Sequence, residues 1–202
     1  MNAYCKSVEN KHMKKFILFS LAVITLLGIL NAKTLAKFLP SAEEQKTTVQ
    51  TVDWSTVEID RLEVYKSKRL LQVLDDGKVI KTYKMRLGFA PTGHKTTEGD
   101  GKTPEGQYVL DWRNPNSQFY KSLHISYPNA HDLAQAKMRG VSAGGDVMIH
   151  GSAKNLGGSE GQPLYGYMPK ADWTWGCIAV SNQDMDELWQ NVKDGTVIEI
   201  FP

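Results

Sequence analysis

Two segments of the sequence carry residue types that do chemistry. One is Asp146-Val-Met-Ile-His150-Gly151, an apolar run ending in a histidine. The other is Asp172-Trp-Thr-Trp-Gly176-Cys177-Ile-Ala-Val180, a loop entering a second apolar run at a thiol. A thiol attacks a carbonyl as thiolate, and its ordinary pKa of about 8.5 leaves it mostly protonated near neutrality. An imidazole that takes the proton turns such a pair into an acyl-transfer catalyst. Gly176 lets the backbone approach a substrate closely, and the Gly176 and Cys177 amides are candidates for holding an oxyanion. Gly151 offers a carbonyl to the ring nitrogen of His150 that faces away from sulfur. Spacing alone does not decide for catalysis. Cys177, beside Ile178 and Val180, also reads as a small buried hydrophobe, and His150 also reads as a hydrogen-bonded strand end.

The elements that must position these residues read as mainly β. Val57, Ile59, Leu62 and Val64 fall among charged neighbours with a period near two. Leu70–Leu74 and Lys78–Tyr83 flank Asp75-Asp-Gly77, a hairpin with Asp-Gly turn chemistry. Further strands are expected at 85–89, 107–111, 123–126, 146–150, 177–180 and 196–201. Two helices are expected. A short one runs from Asp132, as its cap, to Arg139, stopping at Gly140. A longer one starts at Ser181 or Asn182 and places Met185, Leu188, Trp189 and Val192 on one face. Leu156–Met168, with four glycines, reads as a loop able to cover the site. Tyr127, Tyr165 and Tyr167 either line the cleft or pack.

Composition sets the frame. The chain has 202 residues, 41% hydrophobic and 23% charged, with 17 Gly and 8 Pro, which excludes collagen, low-complexity disorder and a multi-span membrane protein. A net charge of +2 gives no nucleic-acid footprint. The 15-residue apolar run 16–30 follows Lys11, Lys14 and Lys15, is short for a bilayer span of about 20 residues, and precedes Ala32 and Ala36. Residues 1–36 therefore read as an export signal, with an uncleaved anchor as the alternative because neither site is a clean Ala-x-Ala. Five basic residues and one acid fall in that segment, so the remainder is slightly acidic, at −2. Residues 37–56 read as a polar linker and 57–202 as the domain. Of 2 cysteines only Cys177 lies in the exported part, and an unpaired thiol in an oxidising compartment calls for a reason.

Met148-Ile-His150-Gly151 followed by Thr174-x-Gly176-Cys177-Ile178 resembles the signature of the L,D-transpeptidase (YkuD-type) catalytic domain. The blocks Leu87-Gly88, Pro91-x-Gly93-x-Lys95, Gly99-Asp-Gly-Lys-Thr-Pro-Glu-Gly106-x-Tyr108 and Leu123–Asn129 agree, so the resemblance spans about residues 59–201. It implies a β-sandwich of mixed sheets with one longer packed helix and one short helix. It also implies Cys177 as nucleophile, His150 as general base and acid, and Gly151 as the carbonyl that orients His150. Gly176, Trp175, Thr174 and Tyr127 are the expected oxyanion and substrate residues, with no metal and no organic cofactor. The implied partners are peptidoglycan stem peptides in the bacterial periplasm or cell envelope, a wall-attached lipoprotein as a further candidate, and carbapenem-type β-lactams as covalent inhibitors. No nucleic acid is implied, and the membrane is met only through residues 16–30. Two departures from the family's commonest pattern bear on the acceptor. Trp175 stands where a histidine precedes the Gly-Cys pair, and Ala179 stands where an arginine follows it. A hydrolase of the same bond is thus one alternative, and a non-catalytic wall-binding module is another.

Overall fold

The computed structural model describes residues 52–152 and 169–202. The expected export segment, most of the linker, the 156–168 loop, Tyr165 and Tyr167 lie outside the described residues. Eight strands form one curled, mixed sheet, and two helices accompany it among the described residues. The strands are β1 (Arg61–Tyr65), β2 (Leu70–Asp75), β3 (Lys78–Lys84), β4 (Gly106–Asn114), β5 (Ser122–Ile125), β6 (Met148–His150), β7 (Ile178–Ala179) and β8 (Val197–Phe201). Their order is β3-β2-β1-β8-β4-β5-β6-β7, so hydrogen bonding runs unbroken from the first hairpin to the thiol.

The period-two reading explains the first half. Leu62 and Val64 of β1 and Ile198 and Ile200 of β8 point inward at 2% exposure or less, while their neighbours along each strand are only partly buried. β1 and β8 pair in parallel, Leu62 opposite Ile198, which brings the two ends of the domain together at mid-sheet. The β2–β3 hairpin turns through Asp76 (φ 49°) and Gly77 (φ 69°), and two positive φ values are what a two-residue I′ turn demands. Ahead of β1, a short 3-10 turn at Trp54–Thr56 is capped by Asp53, and Trp54 packs against the core.

The expected strand at 85–89 does not form as a ladder. Arg86 bridges Ala179 in the antiparallel sense and Gly88 bridges Thr174 in the parallel sense. The two bridges run in opposite senses to one stretch of chain, 174–179, so pairing does not propagate. The strip nonetheless carries the chain from the β3 edge across to the β7 edge, and this curls the sheet.

Helix α1 (Ala130–Met138) begins earlier than expected. Its cap is Asn129, whose side chain accepts the His131 and Asp132 amides, while Asp132 accepts the Asn129 amide in return. Asp132 is therefore the third residue of a reciprocal capping box and not the cap itself. Helix α2 (Asn182–Asn191) is capped by Ser181 Oγ on the Asp184 amide, and it buries Met185 and Leu188 completely.

Candidate active site

β6 and β7 lie side by side in parallel, with Ile149 opposite Ile178 and His150 opposite Ala179. Extending that register by one residue sets Cys177 opposite Met148, two positions from His150. Alternation along a strand then puts the thiol and the imidazole on one face of the sheet. The sequence places them 27 residues apart, and the parallel pairing removes that separation.

His150 is buried, 3% exposed, with its ring against Phe119 (4.7 Å between centroids) and Trp173 (5.5 Å). Burial among aromatics pushes its pKa down to about 4, against a smaller upward pull from the Gly151 carbonyl. The ring is neutral over most of the pH range. Nδ1 lies 2.6 Å from Gly151 O, and a carbonyl can only accept. The proton must therefore sit on Nδ1, which leaves Nε2 bare as a base. Gly151 is fixed in turn: a Cβ there would meet Asn182 Oδ1 at 2.4 Å, and that same oxygen accepts the Ser152 amide at 2.8 Å. The N-terminus of α2 thus locks the carbonyl that locks the histidine.

Cys177 is a free, partly exposed thiol on a cleft of about 320 Å³. Sγ accepts the Met148 amide at 3.4 Å and makes a long contact, 3.7 Å, to Asp146 O. Desolvation pushes its pKa up, Asp146 adds to that, and the Met148 amide and the Lys95 charge oppose it, with a net rise. Both shifts favour the neutral forms, a thiol at Cys177 and an unprotonated imidazole at His150.

The loop before Cys177 is held from several sides. Asp172 receives the Arg69 guanidinium at 2.7 Å and the Leu87 amide at 3.0 Å. The Gly176 carbonyl accepts from Thr103 Oγ1 at 2.8 Å. Gly176 sits at φ 128°, and a Cβ there would press on Lys102 O at 2.5 Å, so no other residue fits.

Three further residues of the expected site have surroundings that bear on their roles. Thr174 is buried, donating to Cys177 O (2.7 Å) and accepting the Gly176 amide (3.2 Å). That bond commits one of the two expected oxyanion donors within its own turn, and the Cys177 amide remains. Tyr127 packs, 2% exposed, with its hydroxyl on Ala143 O at 3.0 Å, behind the cleft wall. Burial holds its pKa at about 12. Trp175, in contrast, is 73% exposed on the cleft and meets Phe89 edge-on at 5.0 Å, so plain packing does not account for it.

The motif reading left two contributors without a role. Asp172 stands in the motif that leads to Cys177, but its job depends on Arg69, about a hundred residues away. Lys95 lines the cleft although it is buried.

Residues 59–200 match the YkuD family, the L,D-transpeptidase catalytic domain. The chain belongs to that family. YafK of Escherichia coli (strain K12), whose name marks it as a presumptive L,D-transpeptidase, is 29% identical over 143 residues, covering 67% of this chain and 48% of YafK. The helical cell shape determining protein Pgp2 from Campylobacter jejuni superposes with a TM-score of 0.52 at 27% identity, over 72% of this chain and 48% of Pgp2. Bd1075 of Bdellovibrio bacteriovorus shares the fold, with a TM-score of 0.50 at 24% identity, over 73% of this chain and 49% of its own. The chain spans about half the length of these relatives. Within this L,D-transpeptidase-type domain, Ala179 is fully buried between Arg86 and His150, so no cation stands two residues past the thiol.

Proposed function

We propose that this domain is a peptidoglycan-modifying cysteine L,D-transpeptidase of the bacterial envelope, exported by residues 1–36 and linked to the domain by residues 37–56. The observation that carries the reading is the neutral, Gly151-locked imidazole with Nε2 bare, on the same sheet face as a free thiol at an open cleft. Sγ attacks the carbonyl at the L-centre of diaminopimelate in the stem peptide as His150 Nε2 takes its proton. The Cys177 amide receives the developing oxyanion. His150 then returns the proton to the departing D-Ala amine, leaving a thioester. An amine acceptor resolves the thioester into a crosslink or a protein–wall link, and water resolves it by hydrolysis. The low His150 pKa suits this order, because a neutral base is ready before substrate arrives and the thiol need not ionise first. Trp175 and Phe89 offer the bound peptide an aromatic wall at the cleft mouth.

Carbapenem-type β-lactams are expected to acylate the same sulfur. The likeness to Pgp2 supports a place in shaping the cell wall. Trp175 and Ala179, in place of the commonest histidine and arginine, favour a second reading in which water is the acceptor, including release of a wall-attached lipoprotein. Mass spectrometry of defined tetrapeptide muropeptides with the full chain, with and without an amine acceptor, separates the two. Acceptor-dependent crosslinked product supports transfer, D-Ala release indifferent to acceptor supports hydrolysis, and turnover unchanged in Cys177→Ala refutes both.

A further inference from the structure

The wall of the Cys177 cleft holds a charged group that none of these steps uses. Lys95 is 4% exposed, yet it lines the cleft, and it is the only cation among the described residues that do so. An ammonium carries three N–H donors. Among the described residues Nζ has two acceptors, Asp100 Oδ1 at 3.0 Å and Thr97 O at 3.2 Å. One donor is left without an acceptor among the described residues, on a side chain that lines the cleft.

The pairing with Asp100 positions this charge. Burial alone would raise the Asp100 pKa, but the Thr96, Thr97 and Lys102 amides and Lys95 itself hold it below the usual carboxylate range. The ionised carboxylate is therefore favoured and fixed by its own loop, and it fixes the ammonium in turn. The opposite wall is tied to that loop through the Glu98 amide on Ser142 O, 2.9 Å. Nζ also lies against the nucleophile's turn, since a Cβ built on Gly176 would be 3.9 Å from it. Among the described residues the other charged side chains on this cleft, Glu98 and Asp146, are acids, so Lys95 is the one cation they offer an entering anion.

We propose that Lys95 binds the terminal carboxylate of the donor peptide's leaving residue and so selects donors whose scissile bond is their last one. The proposal rests on the reading of Cys177 as the nucleophile and goes further, to what the site selects. In a peptide ending in a free D-residue, the carboxylate carbon lies three bonds from the attacked carbonyl carbon. An ammonium lodged beside the Gly176–Cys177 turn is near enough to meet it. A longer stem places a neutral amide there, which an ammonium holds less strongly. Lys95 keeps its protons throughout: the thiol proton passes through His150 to the leaving amine, and the residue departs with its carboxylate.

The test uses the full chain with two synthetic tetrapeptide donors that differ only in the C-terminus, one a free carboxylate and the other a carboxamide. A charge-assisted hydrogen bond at this point predicts that kcat/KM favours the carboxylate by roughly 10- to 100-fold. Lys95→Met brings the ratio of the two donors close to one, and Lys95→Arg restores part of the preference. Alkylation of Cys177 by iodoacetamide, which needs no peptide, runs alongside to register any loss of fold or of thiol reactivity in the variants. A wild-type chain that uses both donors equally through Cys177 overturns the Lys95 role and leaves the nucleophile standing. A Lys95→Met chain that loses both donors in proportion, with slowed alkylation, assigns Lys95 to thiol activation and also overturns the proposal. Wild-type turnover of neither donor defeats the reading of the site and this inference together.

Discussion

Among the described residues two lysines are buried, and their surroundings differ in one respect. Lys66, at 1% exposure, donates to Gly93 O (2.6 Å), Thr103 O (3.0 Å) and Glu105 Oε1 (2.8 Å), so all three N–H groups have acceptors. Lys95 has two acceptors among the described residues and faces a cleft. A buried charge is tolerated when it is fully partnered. Lys66 meets that condition and ties β1 to the loop that leads into β4, where Thr103 supports Gly176. It is a structural clamp. Lys95 meets the condition only in part, with one donor left over on a residue that lines the cleft. Burial alone thus does not separate scaffold from site; the count of unfilled donors and where they face does.

The largest effect expected from this contrast is on stability. Lys66→Met leaves two carbonyls and the Glu105 carboxylate without their shared donor, and its cost is expected near 3–5 kcal/mol, seen as a lower midpoint in urea. Lys95→Met leaves Asp100 with three backbone donors, and its cost is expected to be only about 1 kcal/mol. Equal losses for the two variants would erase the distinction.

Next in size is the effect of pH on the cleft half of the molecule. The folded His150 pKa, about 4, lies below the ordinary 6.5, so the unfolded chain binds the extra proton first. The stability due to the neutral ring is complete above pH 6.5 and is lost as pH falls toward 4. The loss is of the order of 3 kcal/mol. Thermal melts at pH 7, 5.5 and 4 should show this decline, and His150→Phe should flatten it. A pH-independent melt in this window would mean that the ring is not buried as described.

The smallest effect concerns Trp175. Because it is exposed, Trp175→Ala should change stability by no more than about 0.5 kcal/mol, while KM for the stem peptide rises. An unchanged KM would remove the aromatic wall from the substrate's path.

The candidate residues were easier to read from the sequence than the frame around them. Cys177 and His150 stand in short local motifs, and the Asp-Gly hairpin and the Ser181-capped helix follow from local propensity. The sheet order was not legible, because the β1–β8 pairing joins residues at opposite ends of the domain and no local pattern encodes which strands meet. Asn129 was overlooked as a cap because Asp132 is an equally good capping type. The Asn-x-x-Asp reciprocity was the available signal. Thr174 and Tyr127 drew substrate roles from their place in the motifs, whereas their hydroxyls turned out to be engaged inside the fold. Lys95 stands in a family-like block with no role legible there, since a lysine before Thr96, Thr97 and Glu98 gives no local sign of the Asp100 loop that closes over it.

The central claim is that a neutral Cys177 thiol, deprotonated by His150 in the act of attack, carries the acyl group. Intact-mass spectrometry of the full chain, quenched during turnover of a stem tetrapeptide, tests it most directly. The account predicts a transient adduct with the mass of the tripeptide acyl group, mapped to Cys177, and missing from Cys177→Ser and His150→Gln proteins. Turnover with no adduct on Cys177, or an adduct that forms as fast without the imidazole, would contradict it.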